Sequence, residues 1–193
     1  MLVETLGRET RVAHDAIEAA VEIERHLVDV EAYRALLVRF HGFHRGFEEA
    51  RDLAGAGLDP ALVPHASRAD LIEQDLRALG MTGGAQASLP LVRLVYTDRP
   101  SLLGAIYVVE GSSLGGVLIA RMAADRLGLG PDTGTAFFTG DGRDTTRRWR
   151  AVVAALDGSA DPATLAVSVQ SARATFAAMQ DWLAPSANRV AAE

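Results

Sequence analysis

Ser101-LLGAIYVVEGSSLGGVLIARMAADR-Leu127 is apolar almost throughout, lies between Pro100 and Gly128-Leu-Gly-Pro131, and carries four glycines, at 104, 111, 115 and 116. A helix this apolar is read as buried. Each interior glycine costs about 1 kcal/mol against alanine, so something must need those side chains absent. At about 100° per residue, Gly104, Gly111 and Gly115 fall on one narrow face. Bare backbone there lets a flat partner approach closely, and Gly115-Gly116 also permits a bend. Two readings stay open, a tight seam with another helix or a binding face. Glu110, Ser112 and Ser113 interrupt the run where the glycines cluster, an expensive place for polar groups, and this favours a site.

Outward from this segment, apolar residues recur at three- and four-residue spacing nearly everywhere, and the chain reads as all-α. A first helix is expected from Leu2 to Val21, and a second from an Asp29 cap to about Leu53. Ser67-Arg-Ala-Asp70 resembles a capping box, with Asp in place of Glu, opening a helix that ends near Leu79-Gly80. Met81 to Leu89 reads as a glycine-containing loop, and Pro90 to Tyr96 as a short helix or a strand. Asp132 to Arg143, with Phe137-Phe138, suits a surface loop dipping into the core. Asp144 is expected to cap a helix through Leu156, and Asp161-Pro162 to open a last helix reaching Leu183 before Pro185. No repeat or linker is visible, so residues 1–193 read as one domain.

Composition narrows the function. The chain has 193 residues, 49% of them hydrophobic, enough for one substantial core. No apolar run reaches the length of a membrane span without Glu, Arg or a glycine cluster in it, and the N-terminus does not read as a secretory signal, so a soluble, cytoplasmic protein is expected. A net charge of −6 argues against an extended nucleic-acid surface and toward small-molecule partners. The absence of cysteine removes thiol nucleophiles, disulfides, thiolate-ligated heme and iron–sulfur clusters. Lysine is absent too: all 19 basic residues are arginine, which excludes Schiff-base chemistry and a Walker lysine.

Of the five histidines, His26 and His65 sit beside loops and read as structural. His41 and His44 stand at i and i+3, but no carboxylate lies at the offset a di-iron pattern needs. His14 has a different setting: Glu18 stands one turn on and Arg11 almost one turn back. A carboxylate at i+4 can accept one ring N–H and leave the other nitrogen for a metal, while an arginine on the same face can pair an anion. Alone, the pattern is equally that of a surface salt bridge.

Arg11-x-x-His14-x-x-x-Glu18, the Tyr33 to Phe47 helix with its His-Gly-Phe-His run, and above all Tyr107-Val-Val-Glu-Gly-Ser-Ser-Leu-Gly-Gly116 together resemble the bacterial heme oxygenases, especially those that accompany bacteriophytochromes. The similarity in order and spacing runs from about Leu6 to Leu183. It implies one helical domain with heme between the first helix and the kinked glycine helix. By resemblance His14 is the axial ligand of the heme iron and Glu18 its orienting partner. Gly111 and Gly115 bring backbone against the distal face, Gly116 is among the heme-binding residues, and Ser112 helps hold distal water. Arg11 and Arg150 match residues that hold the propionates, and Tyr107 and Phe176 are walls. The implied reaction is O2-dependent opening of heme to biliverdin with release of iron and CO. No flavin or nicotinamide fingerprint is present, so electrons come from an external ferredoxin or reductase, and a bacteriophytochrome is a possible recipient of the product. Physical chemistry agrees: a neutral imidazole lacks a thiolate's electron push, which disfavours O–O cleavage. Two departures stand out. Ser112 or Ser113 occupies the region where animal members carry an aspartate, and the lysines that pair propionates elsewhere are absent. A non-catalytic heme-binding or heme-trafficking protein on the same scaffold is the alternative.

Overall fold

The computed structural model describes residues 1–81, 89–159 and 161–184. The helical periodicity becomes α1 (Leu2–Val21), α2 (Val30–Ala54), α3 (Arg68–Ala78), α4 (Arg99–Gly111), α5 (Ser113–Leu127), the one-turn α6 (Ala136–Thr139), α7 (Thr145–Gly158) and α8 (Pro162–Leu183). No strand occurs among the described residues, and the all-α expectation holds. The Met81–Leu89 loop reading and Pro185 lie largely or wholly outside those residues.

Caps fall largely where local chemistry predicts. The Asp29 side chain accepts from the Ala32 amide and Asp161 from the Thr164 amide, satisfying first-turn N–H groups. Ser67 accepts from the Asp70 amide, but the return half of a capping box does not come from Asp70: Glu48, on α2, accepts from the Arg68 and Ala69 amides and from the Ser67 hydroxyl. The reciprocal box is at Asp98 and Ser101, opening α4. Asp144 precedes α7 without a side-chain cap bond and pairs instead with Arg147 at 2.9 Å.

α4 packs along α8, and α8 along α1, while α3 lies on α2. Their facing residues, among them Leu6, Leu36, Phe43, Leu102, Ile106, Ala172 and Met179, form one buried cluster. Gly104 belongs to this packing. A β-carbon there would collide with the Ser168 carbonyl of α8, so of the two readings of the glycine face the seam applies at this position. Residues 89–97 form neither helix nor strand; they cross α2 so closely that side chains at Gly42 and Gly46 would strike the Pro90 and Val92 carbonyls, and the Val92 amide donates to the Gly42 carbonyl at 3.1 Å.

The apolar segment is not one helix. It breaks at Ser112 rather than at Gly115-Gly116, where the Ser112 and Ser113 hydroxyls donate at 2.7 Å to the Val109 and Glu110 carbonyls. Such back-bonding competes with the helical ladder and bends it. By length and hydropathy alone Arg99–Leu127 could cross a membrane, though only with Glu110, Arg121 and the glycine cluster inside it; half of its most apolar window is buried inside the fold.

Candidate functional site

The break at Ser112 opens a cavity of about 360 Å³. α1 contributes His14, Ile17, Glu18 and Val21; the α4–α5 junction contributes Tyr107 and the run from Gly111 to Gly116; α8 contributes Phe176 and Met179. Phe40 and His44 of α2, Phe137 and Phe138 of α6, and Trp149 of α7 complete the walls. A largely apolar, aromatic-lined space with few polar groups is the usual form of a site for a flat organic ligand.

His14 enters this space on a side chain that is 55% exposed, its ring meeting Phe176 edge-on at 6.0 Å between centroids. One ring nitrogen lies 3.8 Å from a Glu18 oxygen and the other 3.7 Å from Asp15, both longer than a hydrogen bond. The single orienting bond expected from Glu18 is therefore replaced by two looser contacts, because Asp15 competes for the ring. A half-turn of the ring about Cβ–Cγ exchanges Nδ1 with Cδ2 and Nε2 with Cε1, so it carries both nitrogens away from the carboxylates they now face. His14, Asp15 and Glu18 also bring ligand atoms within 4.8 Å of one another on the open face of α1.

The glycines divide by role. A β-carbon on Gly115 would meet nothing within 4 Å, and one on Gly111 would meet Trp149 at 3.4 Å, so both present bare backbone to the cavity. Gly116 instead lets the Phe138 backbone approach, its carbonyl standing 3.0 Å from where a β-carbon would be. The Ser112 hydroxyl spends its hydrogen on the Val109 carbonyl, which leaves its lone pairs as acceptors toward the cavity.

Of the predicted residues, His14, Glu18, Tyr107, Gly111, Ser112, Gly115, Gly116 and Phe176 are brought together around this one cavity. Arg11 is not in it: 79% exposed, it lies 3.6 Å from Asp15 and borders an adjoining recess with Thr10, His14 and Tyr107. Arg150 is exposed and does not line the cavity either. Thr145 and Trp149 occupy the inward side of α7, and one further residue turns the chain by about 100°.

Several lining residues were not foreseen. Arg68 reaches the cavity within a buried charge cluster: it bonds Asp141 at 3.0 Å and lies 3.9 Å from Glu110, which also meets Arg148 at 3.4 Å. Glu110 is 4% exposed, and burial raises its pKa despite the two guanidinium groups. Beside them sits His44, 2% exposed, with neither ring nitrogen hydrogen-bonded among the described residues. Burial, Arg68 and His41 push its pKa down to about 3, so the ring is neutral at physiological pH. His41 is used structurally, one ring nitrogen lying 3.1 Å from Glu73. The His-Gly-Phe-His run and the Phe137-Phe138 pair were the available signals, but nothing local shows that α2 and α6 meet at the same cavity.

The sequence model of the heme oxygenase family matches residues 1–185. A curated heme oxygenase of Xanthomonas campestris pv. campestris (strain 8004) is 33% identical over 104 residues, 51% of this chain and 57% of the relative. The chain thus aligns with little more than half the length of that relative. A solved structure described as NO- and CO-bound heme oxygenase from Neisseria meningitidis superposes with a TM-score of 0.76 at 21% identity, covering 97% of this chain and 94% of that one. The likeness in structure establishes the fold, a single helical domain built as a heme oxygenase is. With the family match spanning nearly every residue, this chain belongs to the heme oxygenase family.

Proposed function

We propose that the domain, residues 1–193, binds heme in the cavity between α1, the α4–α5 junction and α8, and opens it with O2 to biliverdin, iron and CO. One observation carries this reading: an imidazole on α1 and bare helix backbone at Gly111 and Gly115 line the same apolar cavity. Heme fits the donor set, since His14 is the accessible neutral-type ligand there and no thiolate competes. Heme supplies the reactive iron and is itself the substrate.

The chain's residues supply ligation, shape and water control. His14 coordinates the iron, with Glu18 and Asp15 close enough to take the proton of its other ring nitrogen. Gly111 and Gly115 would leave room for O2 over the ring, and the Ser112 oxygen could accept from a water beside it. Phe176, Tyr107 and Trp149 pack the ring. Arg11 stands at the recess beside His14, placed for one propionate, whereas Arg150 is turned to solvent. Neutral His44, on the aromatic side of the cavity, offers a buried nitrogen to a water.

The electrons come from a ferredoxin or reductase, for the chain has no flavin or nicotinamide motif and no cysteine, and such donors place the reaction in the cytoplasm. A bacteriophytochrome is the proposed recipient, on the resemblance of the Tyr107–Gly116 motif alone. The deciding experiment incubates purified protein with hemin and a reductant in air and identifies the pigment by mass and absorption. Biliverdin supports the reading. Heme bands that persist under reductant and O2 support the non-catalytic heme carrier instead.

A further inference from the structure

Asp75, on α3, is fully buried at 0% exposure and touches no part of the cavity, yet it holds one wall of it. Its Oδ1 accepts from the Ala136 amide at 2.7 Å and its Oδ2 from the Phe137 amide at 2.9 Å. These are the first two amides of α6, which the helix cannot satisfy itself, and Thr135, at the cap position, supplies no side-chain bond. A carboxylate 61 residues away in sequence therefore does the capping. The preceding turn is pinned as well, by the Tyr33 hydroxyl donating to the Gly134 carbonyl at 2.8 Å. Gly134 has φ 135°, a conformation side-chain-bearing residues rarely adopt.

A four-residue helix has no independent stability, so its place depends on such attachments. Much rests on that place. Phe137 packs on His44 at 4.9 Å and Phe40 at 5.5 Å between centroids, Phe138 packs on Phe40 at 5.3 Å, and the Phe138 backbone fits against Gly116. No lysine is available for the propionates, and the cavity's guanidinium, Arg68, is engaged by Asp141 and Glu110. In-plane rotation of a tetrapyrrole is then restrained by Arg11 at the adjoining recess and by the shape of the walls.

We propose that Asp75 is a positioning residue: by gripping the Ala136 and Phe137 amides it fixes the Phe137–Phe138 wall, and through that wall it sets the rotation of heme in its cavity and the meso carbon that is opened. The second half rests on the heme reading above; the grip itself does not. The grip responds to pH. Burial raises the Asp75 pKa to about 6, no ion pair of Asp75 occurs among the described residues, the titratable group facing it is the Tyr33 phenol of α2, and α6 carries no ionisable side chain. The ionised carboxylate is the stronger acceptor, so the wall is held best above pH 6.

The test begins with heme-free protein. In Asp75→Asn the shape is kept, but one acceptor becomes an NH2 group facing an amide N–H. Hydrogen exchange of the Ala136 and Phe137 amides should speed up about tenfold or more relative to amides of α4. In the wild type, the protection factors of the same two amides should fall as pH drops from 7 to 5, a measurement that needs no foldable variant. Unchanged protection in both would overturn the grip. Hemin titration and the proportions of biliverdin isomers then read the wall: a severalfold weaker affinity and an altered isomer ratio in Asp75→Asn are expected. Accelerated exchange with wild-type affinity and isomer ratio would overturn the positioning role. Wild-type protein that binds no heme would sink the functional reading and leave the exchange result standing.

Discussion

Replacing Gly115 by alanine should stabilise the heme-free protein and damage the site. The residue lies in the first turn of α5 with ordinary helical backbone, its amide bonded to the Ser112 carbonyl at 3.1 Å, and an added β-carbon meets nothing within 4 Å. With no clash to oppose it, the helix preference of alanine over glycine contributes about 0.5–1 kcal/mol. For a chain of this size that raises the apo melting temperature by about 1–4 °C. Heme reverses the sign. If the ring rests on bare backbone, a methyl group there overpacks the complex by about 1–3 kcal/mol, weakening heme binding about five- to 150-fold. Circular-dichroism melts of apo-protein and Soret titrations with hemin measure the two effects separately. A destabilised apo variant would show that Gly115 already touches protein; a stabilised one that binds heme with wild-type affinity would refute the close-backbone model.

Gly104→Ala is the control for a seam. Its methyl group must push α8 away at Ser168, costing about 3 kcal/mol and lowering the melting temperature by about 6–12 °C, while the folded fraction keeps its heme affinity. His14→Ala should leave apo stability within about 0.5 kcal/mol, since its carboxylate contacts are exposed and long, but abolish the imidazole-ligated heme spectrum, which added imidazole should restore; an unchanged spectrum would assign the iron to another side chain. Stability against pH should show two opposed contributions. Asp75 titrates at 3.8 unfolded and about 6 folded, so the native state holds the extra proton between those values and stability falls as pH rises through them, by about 3 kcal/mol. His44 titrates at 6.5 unfolded and about 3 folded, so the unfolded state holds the extra proton and stability falls as pH drops below 6.5. Urea titrations between pH 6.5 and 4 should therefore show Asp75→Asn losing about 2 kcal/mol more than the wild type; parallel curves would disprove the Asp75 contribution.

The site was legible where its chemistry is carried by residues close in sequence. His14 with Glu18 one turn on, and the glycines around Ser112, are local patterns, and the structure brings them to one cavity. Arg150, assigned by resemblance, does not line the cavity: Trp149, its neighbour, has the inward position on α7. Gly104 was grouped with Gly111 and Gly115 by counting about 100° per residue; Gly104 and Gly111 do share α4, but the seven residues between them advance about 10 Å along the helix, so one meets Ser168 of α8 and the other the cavity.

The chain's own periodicity and capping residues determined the helical class and most helix ends, among them Asp29, Ser67 and Asp161, since each is set by hydrogen bonds within one turn and by which side of a helix is apolar. Tertiary structure alone decided which distant groups complete those elements: Glu48 finishing the cap of α3, the 89–97 segment lying in the groove left by Gly42 and Gly46, Asp75 holding α6, and His44 with Arg68 entering the cavity. Contacts between residues tens of positions apart leave no periodic trace, because a side chain satisfied by a remote partner looks, in its own neighbourhood, the same as one satisfied by water.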